Sequence, residues 1–217
     1  MSSDKNKYYE PLKLMMPVRH QYIKKAITNK GEKDYSSFFK NKKILDIGTG
    51  TGEFLEAFKD YKAKCTGIDL IDNFKVKNSK NFKLIKTDVF KFLKKDIKDQ
   101  YDIMFCFEVI EHIKNKKLFF KLIKKKIKKN GILFISTINR NIVSRLMIID
   151  LAENILNILP KNTHDYKEFL KTDELMILCK NNNLKIIDIS GLAYNPLLKT
   201  FSINRFSTVN YFSVIEN

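Results

Sequence analysis

Residues 44–52 read Ile-Leu-Asp-Ile-Gly-Thr-Gly-Thr-Gly, and no other stretch limits the possible folds so sharply. Ile44, Leu45 and Ile47 form the short apolar run of a buried parallel strand, and the glycines turn it at once into a helix. Gly48, Gly50 and Gly52 carry no Cβ, so a ligand can come close to the backbone there. Asp46 stands just ahead of them. Cys65 to Asp69 reads as a second strand. It ends about twenty residues on in a carboxylate, the position from which an acid takes both hydroxyls of a ribose. A dinucleotide loop calls for G-x-G-x-x-G, but counting from Gly48 the sixth position is Glu53, so that pattern fails.

The rest of the chain alternates helix and strand. Pro17 to Lys25 opens a helix with proline in its first turn. Lys43 to Ile47, Cys65 to Asp69, Phe82 to Thr87, Tyr101 to Cys106 and Ile132 to Thr137 read as successive strands, and Lys185 to Ser190 and Val209 to Val214 complete a sheet of about seven. Between them, Asn115 to Lys129 has Leu118, Phe119, Leu122, Ile123 and Ile127 on one face, leaving its lysines to water, with Asn130-Gly131 closing it. Thr172 to Cys179 is a further helix capped by Thr172 or Asp173. Right-handed crossovers then put helices on both faces, and a ligand belongs beyond the carboxyl ends of the central strands. Asp88 follows the third strand; it either caps the helix at Val89 or accepts from an adenine amine. After the fourth strand come Phe107-Glu108-Val109-Ile110-Glu111-His112. If that segment is helical, Glu108, Glu111 and His112 share one face, fit to hold a divalent cation or to supply a base, whereas a plain structural cap is the third reading.

Composition narrows the class. The chain has 217 residues, 44% hydrophobic, enough for one domain with a full core. Its formal charge of +17 is almost entirely lysine; Arg19, Arg140, Arg145 and Arg205 are the arginines, and no nucleic-acid partner is expected from lysines spread over wet helix faces. Cys65, Cys106 and Cys179 are too scattered for a disulfide framework or a zinc cluster, which suits a reducing compartment. The first residues show neither a signal peptide nor a transit peptide, and no stretch is apolar enough to span a bilayer.

An acid before G-x-G-x-G resembles the S-adenosylmethionine (AdoMet) loop of Rossmann-like class I methyltransferases. More specific blocks follow: Glu-Val-Ile-Glu-His-Ile at 108–113, Ser-Thr-Ile-Asn-Arg-Asn at 136–141, and Leu-Pro-Lys-Asn-Thr-His-Asp-Tyr-Lys-Glu-Phe-Leu-Lys at 159–171. Together with Gly-Leu-Ala-Tyr-Asn-Pro at 191–196, Val-Asn-Tyr-Phe at 209–212 and Tyr-Glu-Pro-Leu-Lys…Met-Pro-Val-Arg at 9–19, they make nearly the whole chain similar to the O-methyltransferases of ubiquinone biosynthesis. The resemblance implies a single methyltransferase domain over 1–217. It also implies AdoMet contacts by Arg19, Gly48, Asp69 and Phe107, to which the loop residues Asp46, Gly50 and Gly52 and the strand-end Asp88 are added as expected cofactor-binding positions. Arg19 would fork onto the methionine carboxylate and Phe107 would cover the adenine. Glu108, Glu111 and His112 match the family's divalent-metal positions, with Mg²⁺ the expected ion and Glu108 and His112 the catalytic groups.

The implied substrates are polyprenylated catechols, at the 2-polyprenyl-6-hydroxyphenol and 3-demethylubiquinol steps. Such substrates require a membrane route. Residues 142–159 supply one: apolar throughout save Arg145, Asp150, Glu153 and a few polar residues, flanked by Arg140 and Lys161, they read as a helical insertion lying on an anionic bilayer or packed beside the active site. The expected location is peripheral, on an inner membrane facing bacterial cytoplasm or mitochondrial matrix, with other proteins of the pathway as further partners. Three departures stand out. The family's N-terminal helix ahead of Tyr8 and Tyr9 is missing, the 72–81 region is short, and Gly48-Thr49-Gly50 replaces Gly-Cys-Gly. Rival readings are a methyltransferase for another phenol and a non-catalytic scaffold.

Overall fold

The computed structural model describes residues 13–32, 34–95, 99–147, 165–195 and 197–217. Strands β1 (Lys43–Ile47), β2 (Lys64–Asp69), β3 (Phe82–Lys86), β4 (Tyr101–Phe107), β5 (Ile127–Ile138), β6 (Lys185–Asn195), β7 (Thr200–Asn204) and β8 (Asn210–Glu216) form one sheet in the order β3-β2-β1-β4-β5-β8-β6-β7. The first five run parallel; β8 pairs antiparallel with β5, β6 with β8, and β7 with β6. β4 is buried nearly end to end, as a strand covered on both faces must be.

Helices cover the two faces in sets. On one face α1 (Met16–Asn29), α2 (Tyr35–Phe39) and α3 (Glu53–Glu56) pack Ile23, Phe39 and Phe54 against Ile44, Phe105 and Phe134. On the other, α4 (Val89–Lys94), α5 (Lys116–Lys126) and α7 (Thr172–Lys180) pack Leu93, Phe119 and Leu175 against Leu45, Met104 and Leu133; α6 (Ile142–Ser144) is a single turn after β5. Alternate residues of each strand therefore enter different cores, as the pleat demands.

Several expectations need correction. The sheet has eight strands, not about seven, because β6 runs on to Asn195 and folds back as β7. Gly191 sits inside that hairpin because a Cβ there would meet the Phe206 carbonyl oxygen at 1.9 Å. The lysine-rich helix ends at Lys126, where β5 already begins. Asn130, at φ 60°, and Gly131 lie in the bulge where Tyr101 pairs with Ile127 but Ile103 with Ile132, and they cap no helix. Lys126 is buried, unlike its neighbours, and its Nζ donates to the Lys95 carbonyl at 2.6 Å. At α7 the N-cap is Lys171, not Thr172 or Asp173, and its backbone N–H donates to the Glu174 side chain at 3.1 Å. Residues 148–159 of the expected insertion, and residues 159–164 of the Pro-Lys-Asn-Thr-His block, lie outside the described residues.

Candidate active site

Strand order reverses at β1, whose neighbours are β2 and β4, and this switch point opens a crevice at the carboxyl ends of the central strands. The β1–α3 loop forms its floor. Gly48 has φ 72° and Gly52 φ 83°, a region closed to most side chains, and a Cβ on Gly48 would lie 2.2 Å from Val109 Cγ2. The loop is anchored twice. Gly48 N and Thr49 N donate to the Ile68 carbonyl at 2.9 and 3.0 Å, and Gly50 N donates to Asp69 Oδ2 at 2.9 Å.

Asp69 Oδ1 also accepts from Ile71 N at 2.9 Å. Two such bonds use half the acceptor capacity of a carboxylate, so it can still take a pair of ribose hydroxyls. Leu70 and Ile71, directly after it, are 68% and 56% exposed. They form an apolar surface beside Asp69, signalled in the sequence by two large aliphatics directly after a strand-end acid. Asp88 caps α4, its Oδ1 accepting from Lys91 N at 2.9 Å, so the capping alternative is the one the structure displays.

Arg19 reaches the other half of the crevice from the first turn of α1, which starts at Met16 with Pro17 next. Its side chain is buried, 5.2 Å from the Phe107 ring centroid, and Nε finds no hydrogen-bond partner among the described residues. Burial lowers its pKa, while Glu108, Asp46 and Glu111 pull the other way. A buried donor without an acceptor is what a ligand carboxylate would satisfy. Arg19, Gly48, Gly50, Phe54, Phe107 and Glu108 line the same cleft. Phe107 ends β4. The order β3-β2-β1-β4 sets it across the glycine loop from Asp69 and Asp88, with its ring edge-on to Phe54 at 5.4 Å. Asp46 lies beneath the loop; burial raises its pKa to about 7, against the pull of Thr49 and Arg19.

The acidic cluster does not form as expected. Glu108 has φ 55°, a left-handed conformation rare for a non-glycine residue, and only Ile110–His112 is helical, as one 3₁₀ turn. Ser136 Oγ donates to Glu108 Oε1 at 2.6 Å, and Thr137 Oγ1 donates to Glu111 Oε2 at 2.8 Å. Ser136 and Thr137 are consecutive residues of one strand, so they point to opposite faces of the sheet and draw the two carboxyls apart. His112 is exposed, whereas Glu111 is buried. Among the described residues no three His, Cys, Asp or Glu side chains are grouped to hold a metal ion. Three ligands on one face required a continuous helix, and the turn at Glu108 prevents it. That Ser136 and Thr137 bind the two carboxyls was not anticipated from the sequence; two hydroxyls near the end of an apolar strand were the sign.

Glu111 Oε1 has no hydrogen-bond partner among the described residues, and burial raises the Glu111 pKa to about 7. A carboxyl raised in this way keeps its proton in the fold at a pH where the unfolded chain has lost it. Stability contributed by Glu111 therefore falls as pH rises from the ordinary carboxyl range through about 7. Glu111→Gln keeps the Thr137 bond and cannot ionise. It should raise stability at pH 8 by on the order of 3 kcal/mol and flatten the dependence, leaving the share of Asp46. Thermal unfolding between pH 5 and 8 checks this; equal slopes in variant and parent would refute it.

Comparison with known proteins agrees with the geometry. A methyltransferase-domain family model matches residues 19–189. A Coxiella burnetii (strain RSA 331 / Henzerling II) protein named ubiquinone biosynthesis O-methyltransferase is 37% identical over 209 residues, covering 93% of this chain and 84% of the relative. One of the same name from Glaesserella parasuis is 34% identical over 219 residues, covering 96% and 89%. Among solved structures, a SAM-dependent methyltransferase from Archaeoglobus fulgidus superposes with a TM-score of 0.63 at 18% identity, over 91% of this chain and 94% of that one. Magnesium protoporphyrin IX methyltransferase from Synechocystis PCC 6803, with SAH bound, gives 0.63 at 11% identity, over 100% and 88%. At these identities the structures speak for the fold alone.

Proposed function

Because the chain belongs to the ubiquinone biosynthesis O-methyltransferase family, and is thus an AdoMet-dependent methyltransferase, we propose that it methylates a catechol-type hydroxyl on polyprenylated ubiquinone precursors. The observation that carries this is the place of Glu108. It is a carboxylate at the end of β4, in the cleft that Arg19 and the glycine loop line, where a phenol would meet the cofactor's methyl.

When bound, AdoMet supplies an electrophilic methyl on a sulfonium. Asp69 would hold its ribose and Arg19 its methionine carboxylate. A phenolic hydroxyl has a pKa near that of tyrosine, about 10, so the site must accept its proton as oxygen attacks. Glu108 takes it, oriented by the Ser136 hydroxyl. His112, exposed on the adjacent turn, passes the proton to solvent. Holding acceptor oxygen and methyl about 3 Å apart supplies much of the remaining acceleration. The divergent carboxyls of Glu108 and Glu111 do not fit a three-ligand cation site, so no step is assigned to Mg²⁺.

The prenyl tail requires a bilayer, and we place residues 142–159 against its anionic face. Ile142, Val143, Leu146 and Met147 are all exposed. Arg145 is exposed beside them, while Arg140 is ion-paired with Glu174 and contributes less charge than its place in the sequence suggested. Among the described residues no helix is long and apolar enough to cross a membrane.

One assay tests the reading: purified protein with AdoMet and a short-chain prenyl catechol, with and without chelator. Methyl transfer to the catechol is expected, and its absence for prenyl catechols alongside transfer to another phenol would overturn the substrate. The divergent donors imply that turnover survives chelator. Loss in chelator, restored by Mg²⁺, would show that the turn re-forms around an ion.

A further inference from the structure

β5 ends at Ile138, which pairs with Asn210 of β8, and Asn210 pairs in turn with Leu192 of β6. β6 continues three residues beyond this level to Asn195, so the β6–β7 hairpin overhangs the carboxyl end of the sheet by about 10 Å. Its tip is apolar and open: Leu197 is 92% exposed and Leu198 71%. The tip is also ordered from within, because Asn195 Oδ1 accepts from both Leu197 N and Leu198 N at 3.0 and 3.1 Å. The Leu197 and Leu198 backbone donors, already bonded, can leave water without losing these bonds. Phe206, 76% exposed, follows β7, and the Asn139 and Asn141 side chains donate to the Ser207 and Thr208 carbonyls, fastening this loop beside Ile142.

The charge around the tip has one sign. Lys199 and Arg205 are exposed, and the chain has no acidic residue between Asp188 and Glu216. We propose that the β6–β7 hairpin is a second membrane element, a finger whose Leu197 and Leu198 enter an anionic bilayer while Lys199 and Arg205 sit at the headgroups. The inference rests on the membrane part of the function proposed above and adds to it a separate contact. The finger and the 142–147 segment then stand on the crevice side of the sheet, so a prenyl tail reaches the site from between them without crossing water.

The chain contains no tryptophan, so Leu198→Trp and Met147→Trp each install a single reporter at an exposed position. Vesicles of phosphatidylglycerol with brominated acyl chains should quench and blue-shift the Leu198→Trp emission, and phosphatidylcholine vesicles should do so far less. In the parent chain, Leu197→Asp with Leu198→Asp should weaken vesicle partition at least tenfold and leave turnover of a soluble short-chain catechol unchanged. Vesicle binding with Met147→Trp quenched but Leu198→Trp unaffected would overturn the finger and spare the 142–159 docking. Quenching at Leu198→Trp alone would uphold the finger and remove that docking. No vesicle binding by either variant, or a concentration-dependent dimer lost in the double aspartate variant, would overturn the proposal in favour of water or a second copy.

Discussion

Glu108→Gln is expected to lower kcat by about a hundred- to ten-thousand-fold while AdoMet binding stays within about twofold, the range removed with a positioned base. Glutamine keeps the shape and can still accept from Ser136 Oγ, so the loss isolates proton acceptance from geometry. The left-handed backbone at Glu108 is retained as well, since neither residue alters the strain at φ 55°. Steady-state kinetics with calorimetry on the same preparation separates the two quantities. If His112→Ala abolishes turnover while Glu108→Gln is mild, the base is the imidazole, and Glu108 is left as a structural end to β4. A pH–rate profile adds a readout that simple misfolding would not move, because the limb belonging to the base should vanish in the variant.

Asp69→Ala is expected to weaken AdoMet binding by about ten- to a hundredfold, from the loss of hydrogen bonds to a charged acceptor. The structure makes this effect larger than a ribose contact alone would suggest. The same carboxylate accepts from Gly50 N and Ile71 N, so its removal also frees the loop that forms the crevice floor. Asp69→Asn, which retains one acceptor oxygen, should fall between the two. Unchanged affinity by calorimetry in Asp69→Ala would count against the assignment of the whole adenosine side.

Much of this was readable before any coordinates. The five parallel strands, the glycine loop and Asp69 follow from local signals: apolar runs of strand length, residues without Cβ, and a charge at a strand end; Arg19 was named only by the family resemblance. The acidic cluster was not readable, because i, i+3, i+4 spacing means a shared face only on a helix. Whether residues 108–112 are helical depends on how β4 leaves the sheet. The eighth strand was missed for a similar reason: Gly191 and Pro196 look like loop residues, and only β7 pairing alongside makes β6 continue to Asn195. Lys126 escaped notice because its neighbours are wet lysines, and the carbonyls it binds are distant in the chain.

The chain alone therefore determined the methyltransferase architecture and the glycine loop tied to Asp69, since these rest on backbone conformation and strand-end chemistry encoded within a few residues. Tertiary structure decided the acceptor half. Ser136 and Thr137, adjacent on β5, face opposite cores and pull Glu108 and Glu111 apart, a result of strand pairing that no spacing within 108–112 could express.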